Sequence, residues 1–471
     1  MLVESFSGIR GLYKEDITEG LIRNYVLSFA GFLKKKNKKP KAVIGMDTRP
    51  SSKTIKELMK KSFIEQGINV IDAGYNTTPA IQHGVRHFKA DGGVMITASH
   101  NEPEFNGWKF LRNNGSVLKP EEIQEVIENS KNPISEKAEK GKEENKEKEL
   151  QKSYVDFVLK LLGKEGIKKI RKANLKVVVD PNGGTAATVI KQLLKKLNVR
   201  VIEKNMELCK FNRLIEPNAE SLSYLADEIE KSNADLAAGW DCDGDRVELV
   251  IPGGSSFSKE MGTMLSGQYI LALLVEEILS RYKGENKIVV TNDATSNLVT
   301  EIAEKYDADV VEVEVGEINV VDKMDELNAP VGGEGSSSGG IFPPSKCRDG
   351  ILTLMMILKL MAERSKKITE ILEEFPRYYN SRTNVECSAE EAIKARKKLE
   401  GYWKGRPEVK DIRKTGDETG GLKIILGKGW VWYRASKTEA GVFRIITDAK
   451  SKEKADELLE LGKQAFEECS K

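Results

Sequence analysis

Histidine is scarce in this chain: His83, His87 and His100 are the only three in 471 residues. His83 and His87 stand at i, i+4, a spacing that can bind metal, but no third ligand accompanies them, so they are expected to share one helix face. Cysteine is thin as well. Cys209, Cys242, Cys347, Cys387 and Cys469 stand singly with no CxxC, which argues against a disulfide framework and suits a reduced, cytoplasmic setting. Long apolar runs are missing. The longest, ILTLMMILKLMA at 351–362, carries a lysine and is too short for a bilayer; it predicts a buried helix and no membrane partner. The opening MLVESFSGIRGLYKED has no basic flank before an apolar core, so no signal peptide is expected. An excess of one charge is also missing: Lys plus Arg is 75, Asp plus Glu is 73, and the net charge is +2. Nucleic acid is therefore not an expected partner, and any anion binding must come from local clusters.

What is present is a repeat. Three segments, AVIGMDTRPSSKTIKELMKKSFIEQGINVIDAG, LKVVVDPNGGTAATVIKQLLKKLNVRVIEKN and KIVVTNDATSNLVTEIAEKYDADVVEVEVG, each open with a β-branched run that leads to an aspartate: Asp47, Asp180 and Asp293. A Ser/Thr/Asn/Gly turn, about three helical turns and a second β-branched run follow, which is the strand–helix–strand signature. Downstream of each unit stands a further short apolar segment and an unusual loop: TASHN, DCDGDR and GGEGSSSGG. A shared topology would put these loops at equivalent strand ends, where parallel α/β sheets bind ligands. Residues 137–152, KAEKGKEENKEKELQK, are nearly devoid of apolar side chains and predict a solvated helix or linker. After Pro376, LKIILGKGWVWYRASKTEAGVFRIITD predicts two strands flanking a polar loop, followed by a helix, in a smaller α+β domain.

The loops carry chemistry. DCDGDR places Asp241, Asp243 and Asp245 at alternate positions, with Gly244 relieving the turn. Three carboxylates converging on one hard cation favour Mg²⁺ or Ca²⁺. An EF-hand does not fit, since the twelfth position from Asp241 is Pro252. Such a site still needs ligands, and a phosphate oxygen on Ser99 of TASHN would supply one. Without a GxSxG elbow, Ser99 reads as a phosphoryl carrier and not as a hydrolase nucleophile. In RASKTEAG, Arg434 offers a planar fork for phosphate, with Ser436, Lys437 and Thr438 beside it. GGEGSSSGG has the composition of a flexible linker, but Glu334 and its register with the other two loops point to binding.

With these loops in order, the chain resembles the α-D-phosphohexomutase family, in an archaeal-like form. That family includes phosphomannomutase/phosphoglucomutase and phosphoglucosamine mutase. FSGIRG at 6–11 is similar to its N-terminal Gly-Ile-Arg-Gly segment. TASHN with NGWK resembles its phosphoserine loop, DCDGDR its metal loop, GGEGSSSGG its sugar-recognition loop and RASKTEAG its phosphate-binding loop. The resemblance implies three similar α/β domains with mixed sheets plus a smaller C-terminal α+β domain, around a central cleft. The expected divisions are 1–150, 151–254, 255–374 and 375–471, carrying the four loops in that order. It also implies a cytoplasmic isomerase, monomeric or homo-oligomeric. Phosphorylated Ser99 would donate to a hexose phosphate, and a 1,6-bisphosphate, also the activator, would turn over before Ser99 takes back the other phosphate.

Carried over by match, Asp241, Asp243, Asp245 and Ser99 would hold Mg²⁺. Lys109 and His100 would assist proton transfer, with Arg246 and Arg10 near the phosphoserine. Glu334 and Ser336 would bind sugar hydroxyls. Arg434, Ser436, Lys437 and Thr438 would hold the phosphate not being transferred, helped by Arg444. Two departures matter. SSSGG stands where many relatives have a Gly-His pair, which throws proton transfer onto Lys109 and His100 and leaves the Glu334/Ser336 register open by one position. Glu102 stands where relatives often have proline directly after asparagine. Mannose and glucose phosphates are the expected substrates, with glucosamine phosphate the rival. A Mg²⁺-dependent sugar phosphatase and a phosphosugar-binding protein are the alternatives outside the mutases.

Overall fold

The β-branched runs that open the three repeats are continuous apolar stretches, as expected of parallel strands covered on both faces. In the computed structural model each opens its repeat as a strand in a separate sheet. The structure describes residues 2–5, 8–135, 138–427, 429–436 and 441–470. The chain forms two compact units, one of Met1–Leu265 with Gly339–Leu372 and the other of Ser266–Ser338 with Glu373–Lys471.

The first repeat contributes strands Lys41–Met46, Asn69–Tyr75, Gly92–Ile96 and Phe105–Arg112. The second contributes Lys176–Asp180, Arg200–Glu203, Leu236–Trp240 and Val247–Val250. The third contributes Ile288–Asn292, Asp309–Val313, Val331–Glu334 and Ser337–Ile341. In all three the strands lie side by side in the order fourth, third, first, second. The first strand pairs parallel with both the second and the third in every repeat. In the first two repeats the fourth strand returns antiparallel along the third. The three signature loops therefore occupy one topological position, between third and fourth strands, as the sequence repeat predicts.

The charged stretch near residue 140 departs from expectation. Glu143–Asn145 joins the first sheet as an exposed edge strand, parallel to Asn69–Tyr75, before the helix Glu147–Lys172 begins. An edge strand needs only backbone pairing, and charged side chains suit it because they discourage further strands from adding. The tail is a five-stranded antiparallel sheet with helices Ala389–Trp403 and Lys452–Ser470. Its first predicted strand is two, Leu422–Leu426 and Gly429–Ala435, split by a turn at Gly427. Among the described residues no helix is long and apolar enough to cross a membrane.

The apolar run at 351–362 is a buried helix, Gly350–Arg364. Asp349 caps it, accepting from Leu352 N–H at 2.9 Å, and the same oxygen accepts from Tyr154 Oη–H at 2.6 Å. The other oxygen, Oδ2, is buried with no hydrogen-bond partner. Burial pushes this carboxyl up to about 6, against the cap and tyrosine hydrogen bonds that lower it. The native state thus keeps a proton that the unfolded chain has already lost, and stability falls as pH rises from about 4 to 6. Asp349→Asn keeps the capping oxygen and cannot ionise. It should flatten that fall, measured as Tm against pH, and raise stability at pH 7 by roughly 1–3 kcal/mol; a slope unchanged from the parent would count against this assignment.

Candidate active site

In the first repeat the chain leaves the strand Gly92–Ile96, turns through Ser99 and returns as Phe105–Arg112. Ser99 sits at φ +52, a region that non-glycine residues seldom adopt. Thr97 Oγ1 holds it there by accepting from Ser99 N–H at 2.8 Å. The side chain is 2% exposed. Its hydroxyl donates to Asp241 Oδ2 at 3.2 Å, which joins the first and second loops across 142 positions of sequence.

Asp241, Asp243 and Asp245 of the acidic loop are all buried. Ligand atoms of Asp241, Asp243 and Asp245 lie within 4.8 Å of one another, the one such group among the described residues. Asp241 Oδ1 accepts from Arg246 N–H at 3.2 Å. Asp243 Oδ2 accepts from Thr78 Oγ1–H at 2.5 Å and Lys109 Nζ at 3.1 Å; Asp245 Oδ2 accepts from Lys109 Nζ at 2.9 Å. Gly244 permits the turn twice over. Its φ is +70, and a Cβ there would stand 2.9 Å from Thr77 Cγ2. Burial, then the charges of Asp243 and Asp245, push the Asp241 carboxyl well above the usual range. Asp245 goes the other way: burial opposes its charge, but Lys109, Arg348 and Arg246 outweigh it. Asp243 Oδ1 and Asp245 Oδ1 are buried without hydrogen-bond partners. Orphaned carboxylate oxygens in an all-oxygen donor set fit a hard divalent cation.

The other residues expected here in the first unit gather around this centre. Lys109 lies on the strand Phe105–Arg112, and Arg10 faces Gly107 from the antiparallel strand Gly8–Leu12. Arg246 approaches Glu216 at 3.5 Å. Burial and the Arg246 charge lower the Arg10 guanidinium below its ordinary value. His100 lies among the same cations: Arg246, then burial, then Arg10 push it down to about 2, so the ring is neutral, and its Nδ1 is buried without a partner. His83 and His87 do share a helix face, on Thr78–His87, with their rings 5.6 Å apart and His83 bonded to Ser153.

The second unit holds the remaining expected residues. Glu334 ends the strand Val331–Glu334, buried, and its Oε1 accepts from Asn292 Nδ2 at 3.0 Å and Gly316 N–H at 2.9 Å. The same Asn292 amide donates to Ser336 Oγ at 2.9 Å, in the two-residue turn Gly335–Ser336, where Gly335 is buried and Ser336 exposed. Arg434 Nη2 donates to Glu314 Oε1 at 3.0 Å. Arg444 faces Arg434 across the pair of strands Gly429–Ala435 and Val442–Ala449. Ser436 N–H donates to Val442 O at 2.7 Å. Lys437 and Thr438 lie outside the described residues.

Sequence reasoning missed Thr78, Arg49, Asn292 and Glu314. Thr78 and Glu314 act on partners more than a hundred positions away. Arg49 was within reach, since it stands two residues after the repeat aspartate Asp47.

The domain models of one family match three parts of the chain: phosphoglucomutase/phosphomannomutase alpha/beta/alpha domain I at residues 4–137, domain II at 152–254 and domain III at 266–379. A phosphoglucomutase/phosphomannomutase of Thermococcus kodakarensis is 34% identical over 471 residues, 98% of each chain. A phosphoglucosamine mutase of Methanococcus maripaludis is 29% identical over 450 residues, covering 92% of this chain and 93% of that one. The crystal structure of a phosphoglucomutase/phosphomannomutase family protein from Burkholderia thailandensis superposes with a TM-score of 0.83 at 20% identity, covering 100% of this chain and 98% of the other. Repeated topology, equivalent loops and full-length similarity agree: the chain belongs to the phosphoglucomutase/phosphomannomutase family and is a phosphomutase.

Proposed function

We propose that this chain moves a phosphoryl group between the 1- and 6-positions of a hexose phosphate, with mannose and glucose phosphates preferred, through a phosphorylated Ser99. The observation that carries this reading is the buried Ser99 hydroxyl 3.2 Å from Asp241, inside a trio of carboxylates with two orphaned oxygens. Mg²⁺ held by Asp241, Asp243, Asp245 and a phosphoserine oxygen would neutralise charge on the transferring phosphoryl group. The chain's own residues do the rest. A sugar hydroxyl attacks the phosphorus, loses its proton, and Ser99 Oγ leaves with a proton restored to it. Lys109, in contact with both Asp243 and Asp245, is the ammonium placed to exchange that proton. His100 is held neutral by its arginine neighbours in the unphosphorylated protein, so it is the weaker candidate. Phosphoryl transfer asks mainly for position and charge compensation, and Arg10 and Arg246 add positive charge at the same place.

Glu334 and Ser336, both tied to Asn292, would accept and donate to sugar hydroxyls in either orientation of the bisphosphate. Arg434, Ser436, Lys437, Thr438 and Arg444 would hold the phosphate that stays behind. The four-part division of the chain and a cytoplasmic setting belong to the same proposal.

A coupled assay tests the reaction. Glucose, mannose and glucosamine 1-phosphates should be converted to 6-phosphates, faster when hexose 1,6-bisphosphate is added, without net release of phosphate. Phosphate release without interconversion would instead make the chain a phosphatase. Intact mass should show a phosphate-sized increment that Ser99→Ala removes, and that substitution should lower kcat on the order of 10³-fold or more. A variant as fast as the parent refutes the carrier role. Chelation should abolish turnover and Mg²⁺ restore it, with Asp243→Asn shifting the Mg²⁺ requirement to higher concentration; activity indifferent to chelator would remove the cation from the scheme.

A further inference from the structure

The aspartate that follows or ends the first strand recurs in every repeat, and two of the three hold a buried arginine. Asp47 accepts from Arg49 Nη1, from Arg49 N–H at 3.0 Å and from Ser52 Oγ–H at 2.6 Å. Arg49 is 1% exposed, and neither it nor Asp47 reaches solvent. Its other terminal nitrogen, Nη2, donates to Ser99 O at 2.8 Å and also to Asn101 O. The guanidinium thus spans from the end of the first strand to the loop after the third, and grips the carbonyls on either side of His100.

The second repeat builds the same device from a residue elsewhere in sequence. Arg213 Nε donates to Asp180 Oδ2 at 2.7 Å, and its Nη2 donates to Trp240 O at 2.8 Å. Trp240 is the last residue of the third strand, directly before the acidic loop. In both repeats an aspartate–arginine pair at the first strand holds a backbone carbonyl where the neighbouring strand opens into a functional loop. The third repeat differs: Asp293 accepts from Thr415, and the amide of Asn292 holds the loop residues Glu334 and Ser336 directly.

We propose that Arg49 is a positioning residue for the phosphoryl-carrying loop, its guanidinium anchored on Asp47 and fixing the Ser99 and Asn101 carbonyls so that the Ser99 hydroxyl emerges toward Asp241. This rests on Ser99 being the carrier. The geometry explains why an arginine stands there. A rigid planar fork sets the spacing of its acceptors, whereas a lysine ammonium is a point charge on a flexible stem. It also explains how Ser99 is kept at φ +52: the peptide planes on both sides of the loop tip are pinned, Ser99 N–H by Thr97 and Ser99 O by Arg49. Arg49 spends its terminal nitrogens on the protein itself, so its effect should fall on the orientation of the carrier and leave sugar-phosphate binding alone.

Arg49→Lys tests this. Unphosphorylated protein is mixed with glucose 1,6-bisphosphate, and phosphorylation of Ser99 is followed by intact mass, with KM and kcat measured alongside. The rate of Ser99 phosphorylation and kcat should fall together by about ten- to a hundredfold, with KM within about twofold of the parent. A loss confined to folding would reduce the fraction of protein that can be labelled and leave its rate constant unchanged. R49K labelled at the parent's rate overturns the proposal. Should R49K fail to fold, D47N, which weakens the anchor and leaves the arginine in place, must slow labelling in the same direction, and an unchanged rate there overturns it equally. If the parent itself takes no phosphate on Ser99, the carrier reading fails instead, and the two failures are told apart.

Discussion

Three carboxylates share one turn here, and burial removes the water that would otherwise separate their charges. Such a cluster stands only if positive charge is brought to it from elsewhere in the fold. Lys109 comes from the fourth strand of the first repeat, Arg10 from a strand hydrogen-bonded to that one, Arg348 from the segment before a late helix, and Arg246 from the end of the acidic loop itself. The opposite displacements of Asp241 and Asp245 follow from this supply: Lys109 touches Asp245 and leaves Asp241 to the Ser99 hydroxyl and a backbone N–H. Joining the first two repeats is therefore an electrostatic requirement as well as a matter of packing.

The repeated topology is what makes that supply possible. Strand order 4-3-1-2 puts the third strand's carboxyl end beside the first strand's in every copy, so whatever ends the first strand can reach the loop that follows the third. The first repeat uses Asp47 with Arg49, the second Asp180 with Arg213, and the third Asn292. One architecture thus supports three loops of unlike chemistry, a buried hydroxyl, a carboxylate cluster and a polar hairpin: in the first two repeats the support grips backbone carbonyls, and in the third one amide holds the side chains of Glu334 and Ser336.

Much of this was legible in the sequence because it is local. Periodicity marks the strands, the aspartates mark their ends, and TASHN and DCDGDR are compact motifs whose residue types restrict their chemistry. What escaped is contact across sequence. Nothing near Thr78 signals Asp243, and nothing near Glu314 signals Arg434. In sequence the edge strand Glu143–Asn145 reads as solvated helix or linker because its pairing is purely backbone and its side chains are those of a solvated segment. The split of LKIILGKGW into two strands was hidden because apolar residues continue on both sides of the turn. The neutral state of His100 was not legible, since it is set by Arg246, burial and Arg10, the two arginines far off in sequence.

Lys109 occupies a double position, bonded to Asp243 and Asp245 at once. An ion at the trio would meet a resident ammonium and would have to compete with it. Loading would be an exchange of partners, with a net affinity set by the difference between two attractions. Without an ion the first two repeats are already clasped through this lysine, so an ion at the trio would enter an assembled scaffold and would free an ammonium there.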